Sequence, residues 1–264
     1  MSSYQWNASD YEKNSSQQQL WARELLDKLS LRGDEQALDV GCGDGKVTAE
    51  LAAALPDGFV LGVDNSPQMV ALARQRYPLL EYPNLDFRLE DARRMPFAAE
   101  FSIVFSNAAL HWIQEHMPAL EGISKSLKPG GKALLQMGGR GNAIGIITAT
   151  EKLIQAPEWS QYFMEFKFPY GFYGPEEYTN WLSMVGLTPT RVELIQKDMT
   201  QPGEAGLAGW IRTTWLPYTQ QIPEGKRETF ISALVKTYLE THHADSRGQV
   251  HVEMIRLEVE ALKP

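Results

Sequence analysis

Short apolar runs recur through the first half of the chain, each ending at a glycine, a serine or an acid. They are Ala37-Leu38-Asp39-Val40, Phe59-Val60-Leu61-Gly62-Val63, Leu85 to Leu89, Phe101 to Phe105 and Lys132 to Met137. Their length and their bounding turn residues predict buried strands. Between them lie segments with helical spacing. One carries Leu20, Trp21, Leu25, Leu26 and Leu29 on one side and ends near Gly33. A second runs from Lys46 to Leu55, and a fourth lies near Glu115 to Leu127. The third opens with Ser66 as N-cap and Pro67 at its first position, both of which favour a helix start. Lys128-Pro129-Gly130-Gly131 reads as a tight turn into the fifth strand. Alternating apolar strands and amphipathic helices predict an α/β, doubly wound, mainly parallel sheet covered on both faces.

After residue 140 the rhythm breaks. Helical segments near 145–155, 175–185, 204–214 and 225–242 mix with aromatic loops. Two late strand-like runs, Arg191 to Met199 and Val250 to Ala261, read as paired edge strands with a helical insertion between them. The expected organisation is one domain over 1–264. Residues 1–16 form an N-terminal lid, 33–137 a cofactor-binding core, and 140–180 with 200–245 a cap.

The 264 residues are 43% hydrophobic and carry a formal net charge of -8. Such a field repels phosphate backbones, so a nucleic-acid partner is not expected. One cysteine, Cys42, makes no internal disulfide, and no Cys/His cluster has zinc spacing, so no metal is expected. The polar N-terminus lacks a signal-peptide pattern, and no apolar run is long enough to span a bilayer. The expectation is a monomeric cytoplasmic enzyme with a small-molecule partner and no membrane association.

The chemistry concentrates where strands end. In Asp39-Val40-Gly41-Cys42-Gly43-Asp44-Gly45 the chain turns from strand to helix. Glycines let a ligand touch bare backbone there, and the helix start offers N–H groups. A dinucleotide loop needs glycine or alanine at position 46, which is Lys46. The spacing instead suits a ligand without phosphates at this point, its amino-acid moiety lying along the loop. Asp64 ends the second strand, 19 residues after Gly45, where a carboxylate accepts both ribose hydroxyls and repels a 2′-phosphate. Asp91 is placed to accept from an adenine amino group while the Ala92 N–H donates to the ring. Ser106 and Asn107 sit at the carboxyl end of a central strand, where open α/β sheets hold ligands.

These segments resemble the class I S-adenosylmethionine methyltransferases. The pieces are LDVGCGDG at 38–45, VDNSPQMV at 63–70, EDARRMPF at 90–97, FSIVFSNAALHW at 101–112 and LKPGGKALLQM at 127–137. The resemblance implies a seven-stranded Rossmann-like sheet whose last strand is antiparallel. It implies S-adenosylmethionine as donor, with Gly41, Gly43 and Gly45 along its methionine part and Cys42 among the cofactor-binding residues of the same loop. Asp64 and Asn65 would lie at ribose, Met69 near adenine, and Asp91 and Ala92 at the base. Ser106 or Asn107 would reach the methionine amino group through backbone oxygen. Trp6-Asn7-Ala8-Ser9-Asp10-Tyr11, SNAALHW at 106–112 and WIRTT at 210–214 further resemble the trans-aconitate methyltransferase group, which forms methyl esters on small carboxylic acids. Juvenile hormone acid and malonyl-carrier-protein methyltransferases share parts of the pattern. One departure is the segment Asn14-Ser15-Ser16-Gln17-Gln18-Gln19, where the trans-aconitate group is arginine-rich. It predicts an acid less charged than a tricarboxylate.

The expected reaction is methyl ester formation. A carboxylate is already ionised at pH 7, so alignment and water exclusion suffice. An amine or phenol acceptor is the alternative and would need a base, for which His111 is the candidate. Arg212 is the candidate to bind the acceptor anion, since a guanidinium takes a carboxylate in two-point fashion. Trp6 and Tyr11 would close over the cofactor, where rings gain from a neighbouring sulfonium. Tyr170, Tyr173, Trp210, Trp215 and Tyr218 suit either a core or an aromatic cap. A cofactor-binding protein without turnover is the remaining reading from another class; a nicotinamide oxidoreductase is disfavoured by Lys46.

Overall fold

The computed structural model describes residues 16–264. Trp6 and Tyr11 lie outside the described residues. The elements in chain order are α1 (Ser16–Leu26), β1 (Gln36–Val40), α2 (Lys46–Ala53), β2 (Phe59–Asp64), α3 (Pro67–Arg76), β3 (Leu85–Leu89), β4 (Phe101–Asn107), α4 (Met117–Ser126), β5 (Leu127–Gly138), α5 (Ile144–Ile154), α6 (Pro157–Ser160), α7 (Pro175–Met184), β6 (Thr188–Gln201), α8 (Gly203–Thr214), α9 (Leu216–Thr219), α10 (Glu224–Leu239) and β7 (Val250–Leu262). Short 3-10 turns occupy Ala92–Arg94 and Leu110–Trp112.

The seven strands form one sheet in the order β3-β2-β1-β4-β5-β7-β6. β1 to β5 pair in parallel, and β7 runs antiparallel to β5, from Lys132 opposite Leu262 to Gly138 opposite Arg256. The last strand thus slips between β5 and β6. The proline-glycine turn expected before the fifth strand is a bulge within it. Phe101 faces Leu127 and Ile103 already faces Lys132, so Lys128-Pro129-Gly130-Gly131 loops out. The tail closes this bulge: Gly130 N donates to Lys263 O, and Lys263 N to Gly131 O, each at 2.8 Å.

Side chains alternate across a strand, and both faces here are covered. Leu38, Val40, Leu61, Val63 and Val104 pack on one face with Leu120 and Ile123 of α4 and Tyr178 and Leu182 of α7. Ala37, Val60, Ile103, Phe105 and Leu134 pack on the other with Leu25 of α1, Leu51 of α2 and Val70 of α3. Burial on both faces is why the strands read as continuous apolar runs. The third helix begins as its sequence predicts: Ser66 is the N-cap, its hydroxyl accepts from Met69 N, and Pro67 follows.

The chain divides into two compact units. The sheet unit comprises Gln18–Arg140, Tyr170–Ile195 and Arg256–Pro264. Of the described residues, the second comprises Ser16, Gln17, Gly141–Pro169 and Gln196–Ile255. Residues 170–180, which the sequence reading placed in the cap, fall in the sheet unit with the rest of Tyr170–Ile195, where Tyr178 and Leu182 fill the core. Within the second unit, Trp159 and Phe163 of the α6 region meet Phe230 of α10 at 5.2 and 5.8 Å. Trp215 Nε1 donates there to Thr150 Oγ1 at 3.1 Å. No helix of the described residues is long and apolar enough to cross a membrane.

Candidate active site

On the α1/α2 side of the sheet, apolar residues give way to polar ones as the parallel strands reach their carboxyl ends. Ala37 is followed on that face by Asp39, Phe105 by Asn107, and Leu134 by Gln136. Register aligns Asn107 with Gln136 and Gln136 with Glu258. The crevice rule for open α/β sheets places ligands at this edge.

The glycine loop begins here. Gly41 and Gly43 take φ of 81° and 54°, in the left-handed region. Gly41 N and Cys42 N donate to Val63 O at 2.8 and 3.0 Å, which ties the loop to the end of β2. Asp64 then braces it. One carboxylate oxygen accepts from Gly43 N at 3.0 Å, and the other from Ser66 N at 2.8 Å. Burial raises the Asp64 pKa above the usual carboxylate range, against these backbone hydrogen bonds. A carboxylate has about four acceptor positions, so acceptor capacity remains beyond these backbone N–H groups for a ribose hydroxyl. A Cβ on Gly43 would meet nothing within 4 Å, and Asn107 Oδ1 is buried without a hydrogen-bond partner. Open space over bare backbone, a braced acid and an orphaned acceptor fit an adenosyl amino acid lying on this edge.

The other cofactor candidates fall in different settings. Asn65 is exposed beside Asp64, and Met69 is buried in the first turn of α3. Cys42 is buried in the core beneath the loop. Burial, with Asp39 and Asp64 nearby, pushes its thiol well up, so it stays protonated. Ser106 is fully buried, and its hydroxyl donates to Val40 O at 2.7 Å, tying β4 to β1. Asp91 caps the turn that starts at Ala92 and pairs with the Arg93 guanidinium, which holds its carboxyl below the usual range. The acid expected at adenine is thus engaged by its own neighbour.

His111 is in the 3-10 turn after β4, in a group of rings. Centroids of Trp112, Phe172 and Tyr170 lie 5.5, 6.0 and 6.2 Å from its own. Its Nδ1 accepts from Gly138 N at 3.4 Å. Burial, then the charge of Arg256, pushes its pKa well below 6.5, so the ring is neutral at pH 7. A neutral imidazole that accepts at Nδ1 carries its proton at Nε2. His111 therefore presents a donor and not a base.

Arg212 lies in the second unit, where its guanidinium takes Glu228 at two points, 2.7 and 2.6 Å. The fork expected for the acceptor anion is occupied by a carboxylate 16 residues along the chain. The structure brings Gly41, Gly43, Asp64, Asn107 and His111 to one sheet edge, while Arg212 belongs to the other unit.

Three polar groups on that edge escape sequence reading: Asp39, Gln136 and Arg256. Asp39 is 2% exposed and accepts from Thr48 Oγ1 at 2.7 Å; burial pushes its carboxyl up to about 7. Gln136 is 1% exposed. Its Nε2 donates to Glu258 at 2.9 Å, and its Oε1 is buried without a hydrogen-bond partner. The available signal was a lone amide in the apolar run Leu134-Leu135-Gln136-Met137. Among the described residues, no group of three or more His, Cys, Asp or Glu is arranged to hold a metal.

Comparison with known proteins bears on the fold and on the class of chemistry. Residues 37–131, from β1 into β5, match the methyltransferase domain family. A methyltransferase of Schizosaccharomyces pombe is 29% identical over 88% of this chain and 90% of its own length. The trans-aconitate 2-methyltransferase of Methylobacterium nodulans is 26% identical over 96% of each chain. The crystal structure of a Bacillus halodurans methyltransferase superposes with a TM-score of 0.64 at 18% identity, covering 92% of this chain and 98% of that one. The chain is an S-adenosylmethionine-dependent methyltransferase with the Rossmann-like fold. Within that class it is similar to the trans-aconitate 2-methyltransferases.

Proposed function

We propose that this methyltransferase acts on a small carboxylic acid and forms its methyl ester. The observation that carries the reading is the state of His111. Its Nδ1 is taken by Gly138 N, and burial keeps it neutral. Deprotonating an amine or phenol calls for a base with a pKa near the working pH, which such a histidine is not. A carboxylate needs no base, and the Nε2–H of His111 suits one of its oxygens. Similarity to trans-aconitate 2-methyltransferases supports the same acceptor class.

In this reading Gly41 and Gly43 hold the methionine part of S-adenosylmethionine against backbone, Asp64 and Asn65 its ribose, and Met69, Asp91 and Ala92 its base. Asn107 Oδ1 lies beside the amino-acid end. Bound there, S-adenosylmethionine supplies a methyl group already activated by a cationic sulfur. The carboxylate oxygen forms the new bond to the methyl carbon, the carbon–sulfur pair leaves with sulfur, and no proton moves. The protein's part is orientation and exclusion of water, and such alignment is worth up to about 7–11 kcal/mol. The rings around His111 serve the exclusion. The setting proposed is a cytoplasmic monomer acting on a free small molecule, without metal, nucleic acid or membrane.

A competition tests the reading. Matched acids, amines and phenols are offered together with S-adenosylmethionine, and products are identified by mass. Esters alone are expected; methylated amines or phenols without esters contradict it.

A further inference from the structure

We infer that Gln136 is a binding residue for S-adenosylmethionine. Its side-chain oxygen, with that of Asn107, accepts from the ammonium group of the methionine part, and Glu258 holds the Gln136 amide in the orientation this requires. The inference rests on the donor site read above and adds to it a residue of β5 and a support on β7.

Asn107, Gln136 and Glu258 lie in line across three neighbouring strands. Register pairs Asn107 with Gln136, and Gln136 with Glu258. The chain just past Asn107 is fastened at the same place, since Ala108 N donates to Gln136 O at 2.8 Å. On the other side, Ser106 Oγ ties β4 to Val40 O, one residue before the glycine loop. In the strand order β1-β4-β5, Asn107 therefore stands between the glycine loop and Gln136.

The orientation of Gln136 follows from charge. Glu258 is 1% exposed, and its Oε2 takes Lys28 Nζ and Arg191 Nη1. Burial acts to raise its pKa, and the hydrogen bonds from these two cations overcome that, so the carboxyl titrates below its usual range. Ionised, it only accepts. Its Oε1 takes Gln136 Nε2 at 2.9 Å. Turning the amide over would set oxygen against carboxylate oxygen, so the Lys28–Glu258–Arg191 cluster fixes which end of Gln136 is which. Nε2 and Oε1 diverge from one carbon, and with Nε2 on Glu258 the oxygen is directed away from it.

That oxygen is buried without a hydrogen-bond partner, and Asn107 Oδ1 is in the same condition. A buried acceptor without a donor is costly, and native proteins rarely leave one. Two of them on neighbouring strands call for a group with several donors. A carboxylate offers oxygens only and is repelled. An ammonium offers three N–H donors, and its charge strengthens each hydrogen bond. On the glycine-loop side of Asn107, the methionine part of the ligand carries such a group.

The test is calorimetric titration with S-adenosylhomocysteine and with its desamino analogue, which has hydrogen in place of the amino group. Wild type should bind the amino ligand about tenfold or more tightly than the analogue. Gln136→Leu should weaken S-adenosylhomocysteine by about tenfold or more and leave the analogue within about twofold. Asn107→Asp sets a carboxylate beside the ammonium and should hold or widen the preference for the amino ligand. Equal affinity of wild type for the two ligands would overturn the inference with no variant needed. Equal weakening of both in Gln136→Leu, or a preference that shrinks in Asn107→Asp, would overturn it and leave the donor site standing. Failure of folded wild type to bind either ligand would remove the donor site itself.

Discussion

A β-carbon placed on Gly41 would lie 2.1 Å from the β-carbon of Ala109. The loop after β4 therefore rests directly on the first turn of the glycine loop. Ala108 holds that approach with a left-handed φ of 56°, its N–H donating to Gln136 O at 2.8 Å. Gly43 contrasts with Gly41, since a Cβ there meets nothing. Gly41→Ala should lower the melting temperature sharply, because two backbones must part. Gly43→Ala should cost only about 1 kcal/mol for its left-handed backbone, while weakening S-adenosylmethionine by filling the space above the loop. Thermal melts with and without S-adenosylhomocysteine separate the two effects; equal loss of stability in both variants would contradict this geometry.

Asp64 joins the two ends of the donor site, with one oxygen on Gly43 N and the other on Ser66 N. Asp64→Ala should weaken S-adenosylmethionine by about tenfold or more, in keeping with hydrogen bonds to a charged group. Asp64→Asn should weaken it less, since the amide oxygen still accepts from backbone. Titration of both variants checks the order, and unchanged affinity in Asp64→Ala would remove the acid from the ribose.

Two buried groups give stability opposite pH slopes. Burial raises the Asp39 carboxyl to about 7, so between about pH 4 and 7 the folded protein keeps a proton that the unfolded chain has lost. Stability from this group falls as pH rises through that window. Burial lowers His116 to about 4, so the unfolded chain takes up a proton first. Stability from His116 falls as pH drops from 6.5, by about 3 kcal/mol once protonation is complete. Asp39→Asn keeps an acceptor for Thr48 and removes the first slope. Its melting temperature relative to wild type should be higher near pH 8 than near pH 5, and a constant difference would contradict the assignment.

His111 as donor has a kinetic signature. With an acid acceptor, kcat should be flat over about pH 6.5 to 9, because no base with an ordinary histidine pKa takes part. His111→Phe should lower kcat by about tenfold or more without bending that profile, while His111→Gln, which keeps an N–H, should retain more. A basic limb that vanishes in His111→Phe would return the residue to the role of base.

The sheet was legible because burial on both faces forces apolar runs that Val60, Leu61, Val104 and Phe105 announce one after another. Ser66-Pro67 announced α3, and the glycine loop with Asp64 announced the donor edge. β7 misled in detail. Arg256, Glu258 and Glu260 recur at every second position, the pattern of a solvent face, yet Arg256 and Glu258 are 3% and 1% exposed. α1 and the turn after it cover that face through Trp21 and Lys28, more than 200 residues earlier in the chain. The pairing of Arg212 with Glu228 joins two helices and has no local spacing to betray it.

The central claim is the atom that receives the methyl group, and the most direct measurement follows isotope from methyl-labelled S-adenosylmethionine into product. After reaction with a monocarboxylic acid, mild alkali should release the label as methanol, the behaviour of a methyl ester. Label that survives alkali on an amine or ether product would contradict carboxylate methylation.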